Sequence, residues 1–263
     1  MDREGQGPSR VSHTVPGFNR SEEVYTMAKR RKIHVRGENR LLADLPRDEY
    51  DRLHPHLEKV PLPLKHILYE ANGPIPHVFF PLNGVVSLVI IMEGGFILEV
   101  GTIGNEGMVG TPVFLGSESS PTRAISQVPG EALRMETKVF QEEMRRGGLL
   151  YSLVQRYTQA MINQISQSTV CNHRHSVQKR MCRWLLMSHD RVGADEFPLT
   201  HEFLAQMLGV RRPTVTAVAG ILQKAGLITY HRGRMTVLDR KGLEAASCEC
   251  YEVVAKELDR LLG

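Results

Sequence analysis

The sequence predicts an α+β fold: an N-terminal antiparallel β-barrel or jelly roll, then a long helix, then a C-terminal winged helix-turn-helix. Three observations predict it. Short β-prone runs alternate with turn residues up to residue 135, an apolar stripe of helical spacing follows from residue 149, and residues 200–238 have the spacing of two helices followed by a hairpin. Strands and helices segregated along a chain are typical of this fold class.

The composition limits the class of protein. Hydrophobic residues make up 41% and charged residues 24% of the 263 residues, as in globular proteins. No apolar run reaches the ~20 residues that span a bilayer, and no secretory signal is visible, so we expect a cytoplasmic protein without a membrane partner. Residues 61–150 carry 6 basic and 9 acidic side chains, whereas residues 171–240 carry 11 and 5. This imbalance predicts a polyanionic partner for the C-terminal part alone.

The N-terminal half divides into a tail and a β domain. Residues 1–38 lack periodicity and predict a disordered tail with a basic cluster at residues 29–32. Residues 39–148 predict the β domain, with turn dipeptides such as Asn83-Gly84 and Pro129-Gly130 between its strands. The predicted β runs are residues 67–69, 78–80, 85–91, 96–103, 124–128 and 132–135.

A long helix is predicted for residues 149–172. Its apolar stripe alternates by four and three, which is the spacing of a coiled-coil seam. The stripe consists of Leu150, Val154, Tyr157, Met161, Gln164 and Ser168. Two interpretations fit: a helix packed on its own β domain, or a helix paired with a second protomer. The length of the stripe, about three heptads, favours the second, so these six positions are the predicted interface of a homodimer.

The cysteines raise the question of a disulfide or metal site. All four lie in the last third of the chain: Cys171, Cys182, Cys248 and Cys250. They are too few and too clustered for a disulfide framework. Cys248-x-Cys250 and His173-x-His175 contain metal-ligand residue types, but no CxxC pair or regular ligand spacing accompanies them. We therefore expect ordinary core, linker and surface residues, with no metal and no cofactor.

Residues 200–225 carry the strongest local pattern, two helices joined by a tight turn. Steeply crossing helices need a small residue at their contact, a turn residue between them and apolar inward faces. Ala205 supplies the small contact and Gly209 the turn. The inward face of the second helix is predicted to consist of Val215, Val218, Ile221, Leu222 and Ala225.

The N-terminal end of that second helix is polar and basic, which predicts contact with DNA. Recognition helices present this end to the major groove, where arginine pairs with guanine and threonine contacts phosphate or a thymine methyl group. Two strands joined by a basic turn follow and predict a wing that contacts phosphates. The predicted DNA-contacting residues are Thr200, Arg211, Arg212, Pro213, Thr214, Thr216, Arg232 and Arg234. The winged region is placed at residues 173–243, and a further helix at residues 244–263.

The order of these parts resembles the Crp/Fnr family of bacterial transcription regulators over residues 41–240. The most specific stretch is LTHEFLAQMLGVRRPTVTAVAGILQKAGLITYHRGRMTVLD, preceded by HSVQKRMCRWLLMSHDR. The resemblance implies a cyclic-nucleotide-binding-like sensor domain, a homodimer on an inverted-repeat DNA site, and RNA polymerase as a partner. It also implies a base-reading role for Arg212. Pro213 stands where the family usually has glutamate, which implies a different preferred DNA sequence.

The positions that hold the nucleotide in cyclic-nucleotide-binding members are altered. Those members use a Gly-Glu pair and an Arg-Ser/Thr-Ala run, and the matching residues here are Gly110-Thr111 and Arg123-Ala124. Thr111 replaces the glutamate, and Arg123 stands one place late, which on a strand turns a side chain to the opposite face. These four are the candidate effector residues, and cyclic AMP bound in the family geometry is not expected. The N-terminal iron–sulfur ligands of the oxygen-sensing branch also have no counterpart, because no cysteine precedes Cys171.

Two other classes of function stand as alternatives. One is a small-ligand sensor module, in which the β domain acts without a direct role at DNA. The other is an enzyme with a pocket in the β domain. No Ser/His/Asp or paired-carboxylate set is visible, so we expect no catalytic residue and no enzyme.

Overall fold

The computed structural model describes residues 38–263. The predicted disordered tail and its basic cluster lie outside the described residues, apart from Glu38. None of the helices within residues 38–263 is both long and apolar enough to cross a membrane.

Seven strands form the sheet domain, and they lie in two antiparallel sheets. The strands are β1 (Glu58–Leu62), β2 (Ile67–Tyr69), β3 (His77–Pro81), β4 (Val85–Ile91), β5 (Ile97–Ile103), β6 (Arg123–Val128) and β7 (Gly130–Glu136). The sheet orders are β1-β7-β3 and β2-β6-β4-β5. Both sheets contribute to one core, with Phe80 and Val86 fully buried in it. The α+β class is confirmed, and the two sheets match the jelly-roll form of the prediction.

The predicted β runs all fall on strands β2–β7, and β1 is the strand that the sequence pattern did not indicate. β1 has the sequence EKVPL and lies at the edge of its sheet, where Pro61 pairs with Glu131. Proline weakens a strand pattern but is tolerated at an edge, since the missing N–H is not needed there.

The helices divide between the sheet domain and the winged region. In the sheet domain and leading out of it are α1 (Arg40–Ala43), α2 (Arg47–Leu53), α3 (Thr111–Phe114), α4 (Thr137–Arg146) and α5 (Leu149–Arg174). The winged region and C-terminal segment contain α6 (Val177–Val192), β8 (Glu196–Pro198), α7 (His201–Leu208), α8 (Arg212–Lys224), β9 (Ile228–His231), β10 (Arg234–Val237), α9 (Arg240–Ala246) and α10 (Cys250–Leu262). A second core is built mainly on α6, α7 and α8 of the winged region, and it also contains Val85, Val89 and Val128 of the sheet domain.

Helix α5 begins where predicted and ends two residues later, but its apolar stripe has a different partner. The six predicted interface residues are Leu150, Val154, Tyr157, Met161, Gln164 and Ser168, and each is at most 8% exposed within the single protomer. Tyr157 covers Gly107, where an added Cβ would lie 2.0 Å from the phenol ring. Gln164 Nε2 donates to the carbonyl of Thr102 at 3.0 Å. The predicted interface residues are therefore wrong: the stripe packs on the sheet domain of its own chain.

The C-terminal segment forms two helices instead of the single helix predicted for residues 244–263. Residues 247–249 separate α9 from α10, and α10 runs back along α5. Asn163 Nδ2 on α5 donates to Glu257 on α10 at 3.0 Å. Leu262 is 6% exposed and belongs to the core of the sheet domain. Along the chain, the winged region thus lies between α5 and α10, and both of these helices contact the sheet domain.

Three of the four cysteines come together in space. Cys171, Cys248 and Cys250 form a small buried cluster apart from the two larger cores, whereas Cys182 lies in the core of the winged region. The sequence analysis expected ordinary core, linker and surface residues and did not foresee that three of the four lie together. Their proximity is not visible in the sequence, because Cys171 on α5 is brought to Cys248 and Cys250 only by the return of the C-terminal segment.

Candidate DNA-binding surface

Helices α7 and α8 form a helix-turn-helix pair with a buried apolar contact. Val215 and Val218 are buried as predicted, and the stripe continues through Leu222. Ile221 is 52% exposed and Ala225 is also exposed, so the sequence assigned both to the buried face wrongly. The reason is angular: neighbouring residues on a helix differ in direction by about 100°, so residue 221 turns away when residue 222 faces inward.

The turn between the two helices rests on the sheet domain. Gly209 ends α7 with φ +62°, the left-handed conformation that glycine adopts without strain. A Cβ at this position would lie 2.7 Å from the side chain of Leu98 on β5. The turn glycine therefore satisfies two requirements, the backbone conformation and the close approach to β5.

The predicted contact residues at the start of α8 are all exposed: Arg211, Arg212, Pro213, Thr214 and Thr216. Arg211 is the N-cap residue and Pro213 lies in the first turn, where a helix has no use for its N–H. Within the described residues neither arginine forms an ion pair with an acidic side chain. Two uncompensated guanidinium groups at one exposed helix end form a surface suited to an anion.

Thr216 is less free than its exposure suggests. Its hydroxyl donates to the carbonyl of Arg212 at 3.2 Å and lies 3.0 Å from Nδ1 of His201 on α7. The His201 ring stacks on Tyr230 of β9 with a centroid distance of 4.1 Å. Burial, with a smaller contribution from the charge of Arg212, lowers the pKa of His201. His201 and Tyr230 were missed by the sequence analysis, and they hold the recognition helix, its partner helix and the wing together.

The wing is a three-stranded sheet of order β8-β10-β9, in which β8 was not predicted. Its turn contains Arg232 at φ +46° and Gly233 at φ +78°, the pair of positive values that a tight hairpin turn of the I′ type requires. Arg232 is exposed, but Arg234 forms an ion pair with Glu196 of β8. Thr200, also exposed, caps α7 by accepting from the Phe203 N–H at 3.1 Å. Of the two wing arginines, Arg232 is the one left without a carboxylate partner among residues 38–263.

A polar cluster joins α6 to the sheet domain, with Glu99 half-buried and the other members buried. We call it the Glu99 network: Glu99, Ser87, Gln127, Trp184 and Ser188. Trp184 Nε1 donates to Glu99 at 2.9 Å, and the Ser87 hydroxyl lies 2.6 Å from both Glu99 and Gln127. Gln127 donates to Ser188 at 3.1 Å. Burial raises the pKa of the Glu99 carboxyl to about 7. A protonated Glu99 can donate to Ser87, which leaves the single hydroxyl proton of Ser87 for Gln127.

This network predicts a pH dependence of stability. Since the pKa of Glu99 is raised from its usual value of 4.5 to about 7 in the folded chain, the stabilising contribution is fully present below pH 4.5 and is lost as the pH rises through 7. We expect a loss of about 2 kcal/mol between pH 5 and pH 8, less than full enclosure would give because Glu99 keeps some contact with water. In Glu99→Gln, which is always neutral, this part of the pH dependence should vanish.

The measurement is urea unfolding at several pH values, followed by the fluorescence of Trp184, the one tryptophan of the sequence. Glu93→Gln, at an exposed position on the tip between β4 and β5, is the matched control and should keep the wild-type profile. Equal pH profiles for wild type and Glu99→Gln would contradict the assignment.

The candidate effector residues lie at the start of α3 and of β6. Gly110 is the N-cap of α3 with φ +105°, Thr111 begins that helix and is 9% exposed, and Ala124 is fully buried. Arg123 is paired with Glu70 at 2.7 Å. A guanidinium with a carboxylate partner is less available to an anionic ligand, because the ligand must displace that carboxylate. An effector role for these four residues stays a prediction.

Comparison with known proteins agrees with this geometry. Residues 179–246 match the family model of the Crp-like helix-turn-helix domain. These findings together support a regulator of the Crp/Fnr family. The chain has the fold of FixK2 from Bradyrhizobium japonicum, with a TM-score of 0.63 and 13% identity over 73% of this chain and 98% of that one.

Two curated relatives are regulators. The chain is 28% identical to the transcriptional regulator SdrP of Thermus thermophilus, over 68% of this chain and 88% of that protein. It is 24% identical to the global nitrogen regulator of Nostoc sp., over 65% of this chain and 80% of that protein. The chain is accordingly a DNA-binding transcription regulator, and a sensor module without a role at DNA is not favoured.

Proposed function

We propose that this regulator binds an inverted-repeat DNA site as a homodimer, with the start of α8 in the major groove and the wing turn on the phosphates. The observation that carries the proposal is the exposed start of α8, where Arg211 and Arg212 have no acidic partner among the described residues while the opposite face of the helix is buried. Arg212 and Thr214 are assigned to base edges, and Arg211 and Arg232 to phosphates.

The roles of the other predicted contacts follow from their bonds. Thr216 orients the recognition helix through His201, so its methyl group is the part assigned to DNA. Thr200 keeps its capping bond, and Arg234 reaches a phosphate only by exchanging Glu196 for it. Pro213 fixes the backbone at the helix start. We also propose RNA polymerase as a partner, on the basis of the similarity to Crp/Fnr regulators, and no catalytic step.

The homodimer requires a different face of α5 from the buried one. A second stripe with alternating spacings of three and four is exposed along the helix: Ser152, Gln155, Gln159, Ile162, Ser166, Thr169 and His173. Ile162 is 51% exposed and is its one large apolar side chain. The spacing is that of a coiled-coil seam. We propose that this stripe pairs with its copy in a second protomer, with Ile162 against Ile162.

Ile162→Glu is expected to shift the protein from dimer to monomer, because two carboxylates would face each other across the seam. Sedimentation velocity at micromolar concentrations measures the change. The control is Lys138→Glu, at an exposed position on α4 and thus outside this helix, which should leave the mass of the particle unchanged. A wild-type protein that is monomeric, or an Ile162→Glu protein that stays dimeric, would contradict the seam.

The experiment that tests the DNA function is selection of random duplex DNA by the purified full chain, with and without cyclic nucleotides. We expect an enriched inverted repeat whose half-sites are centred about 34 Å apart, one helical turn. Enrichment of a lone half-site would contradict the homodimer, and no enrichment under either condition would contradict the assignment of α8 to the major groove.

A further inference from the structure

Four metal-ligand side chains converge where α5 ends and α10 begins. They are Cys171 on α5, His175 immediately after α5, Cys248 in the segment between α9 and α10, and Cys250 at the start of α10. Their ligand atoms all lie within 4.8 Å of one another. The Sγ atoms of Cys171 and Cys248 are 3.5 Å apart, and so are Cys250 Sγ and His175 Nδ1.

The two distances of 3.5 Å match the edges of a small tetrahedron. Zinc–sulfur and zinc–nitrogen bonds of about 2.3 and 2.0 Å in tetrahedral geometry place two ligand atoms roughly 3.5–3.8 Å apart. The three cysteines are at most 5% exposed, and the His175 side chain is 14% exposed. Three thiols and an imidazole form one of the ligand sets of structural zinc sites, and soft thiolates favour zinc over hard cations. A single ion therefore fits the space that the four side chains enclose.

The surroundings of the four residues support a metal site independently. The second imidazole nitrogen of His175, Nε2, lies 3.3 Å from the carboxylate of Glu249. A carboxylate on the outer nitrogen of a ligating histidine is a recurrent feature of metal sites, because it fixes the ring and its tautomer. Gln167 Nε2 donates to Cys250 Sγ at 3.0 Å. Both contacts orient ligand atoms, and scattered buried thiols would not need them.

Charge also agrees with a metal-bound thiolate cluster. Three thiolates and a neutral imidazole around Zn²⁺ carry a net charge of −1. Arg183 on α6, only 7% exposed, lies close enough to Cys171 to interact with it electrostatically and donates to Ser168 at 3.2 Å. A buried cation beside a site of net negative charge reduces the cost of burying both.

We propose that Cys171, His175, Cys248 and Cys250 bind one structural Zn²⁺ ion. The ion joins the last turn of α5 to the first residue of α10. Since the winged region begins after α5 and ends before α10, the ion fixes both ends of that region relative to the long helix. The sequence analysis considered His175, Cys248 and Cys250 as metal ligands and set them aside, because the two halves of the site are distant in the chain and neither contains a CxxC pair.

The test is metal analysis of the purified, reduced full chain, followed by exchange of zinc for Co²⁺. We expect one zinc per chain and, with cobalt, the intense visible bands and thiolate charge-transfer absorption of a tetrahedral sulfur-rich site. Cys250→Ser and Cys248→Ser should lose both signals. Cys182→Ser is the matched control, since this buried cysteine lies in the other core, and it should keep them. Glu249→Gln should bind zinc about 10- to 100-fold more weakly, as expected for a residue that orients a ligand.

Each other outcome would overturn the proposal, and none depends on DNA binding. A wild-type chain without zinc whose cobalt form has only weak octahedral bands would exclude the site, whether or not the serine variants fold. A mass lower by two hydrogens under non-reducing conditions would replace the zinc site with a disulfide among the cysteines. Stoichiometric iron with acid-labile sulfide would replace zinc with a cluster.

Discussion

Arg191→Met is expected to destabilise the folded chain by about 3–5 kcal/mol, the usual cost of leaving one partner of a buried ion pair alone. Arg191 on α6 pairs with Glu106 at 2.8 Å, and the two side chains are 8% and 5% exposed. The guanidinium also donates to Gln164 of α5 at 3.1 Å. One side chain therefore joins three segments: α6, the loop after β5, and the long helix. Its removal leaves the Glu106 carboxylate buried without its ion-pair partner.

Urea unfolding followed by far-ultraviolet circular dichroism measures the effect. Arg156→Met, at an exposed position on α5, is the control and should shift the midpoint little. The double variant Arg191→Met with Glu106→Leu should recover part of the lost stability, because neither charge is then left unpaired. If Arg191→Met and Arg156→Met have the same urea midpoint, the Arg191–Glu106 pair contributes nothing to the contact between the winged region and the sheet domain.

Arg212→Ala is expected to abolish specific DNA recognition while leaving the fold and the dimer intact. A bidentate arginine–guanine contact discriminates by about 1–3 kcal/mol, and in a homodimer both half-sites lose it. Arg212 begins α8 and is exposed, so truncation removes no core contact. The measurement is the ratio of affinities for the selected inverted repeat and for an unrelated duplex of equal length.

Arg232→Ala supplies the contrast to this variant. A phosphate contact from the wing should weaken binding to every sequence equally and lower the slope of log affinity against log salt by about 1. The specificity ratio should therefore fall for Arg212→Ala and stay constant for Arg232→Ala. An unchanged ratio in Arg212→Ala would remove this residue from the base-reading set.

The helix-turn-helix was predictable because its determinants are local. The turn glycine, the apolar spacing and the residues at the wing turn are all specified within forty residues of sequence.

The stripe on α5 was predictable only as an apolar face. Spacing identifies which side of a helix is covered, but a sheet of the same chain and a second protomer bury such a side equally well. Its length favoured the wrong partner, and the exposed stripe that now carries the dimer proposal is too polar to be recognised by hydrophobicity.

The convergence of the proposed zinc ligands and the Glu99 network could not be predicted from the sequence, for the opposite reason. Glu99 and Trp184 are 85 positions apart, and Cys171 and Cys248 are 77 apart. Such pairs are defined by how the winged region folds against the sheet domain, and no local period encodes that arrangement.

The return of α10 makes the sheet domain discontinuous along the chain, with the winged region as an insertion between α5 and α10. Its core contains Leu41 from near the start of the described residues and Leu262 from near their end. During synthesis the whole winged region therefore emerges before the last helix that packs on the core of the sheet domain. Domains generally fold as units as the chain emerges. Here the unit is interrupted, and the sheet domain receives its last core side chain, Leu262, only after the inserted region has been made.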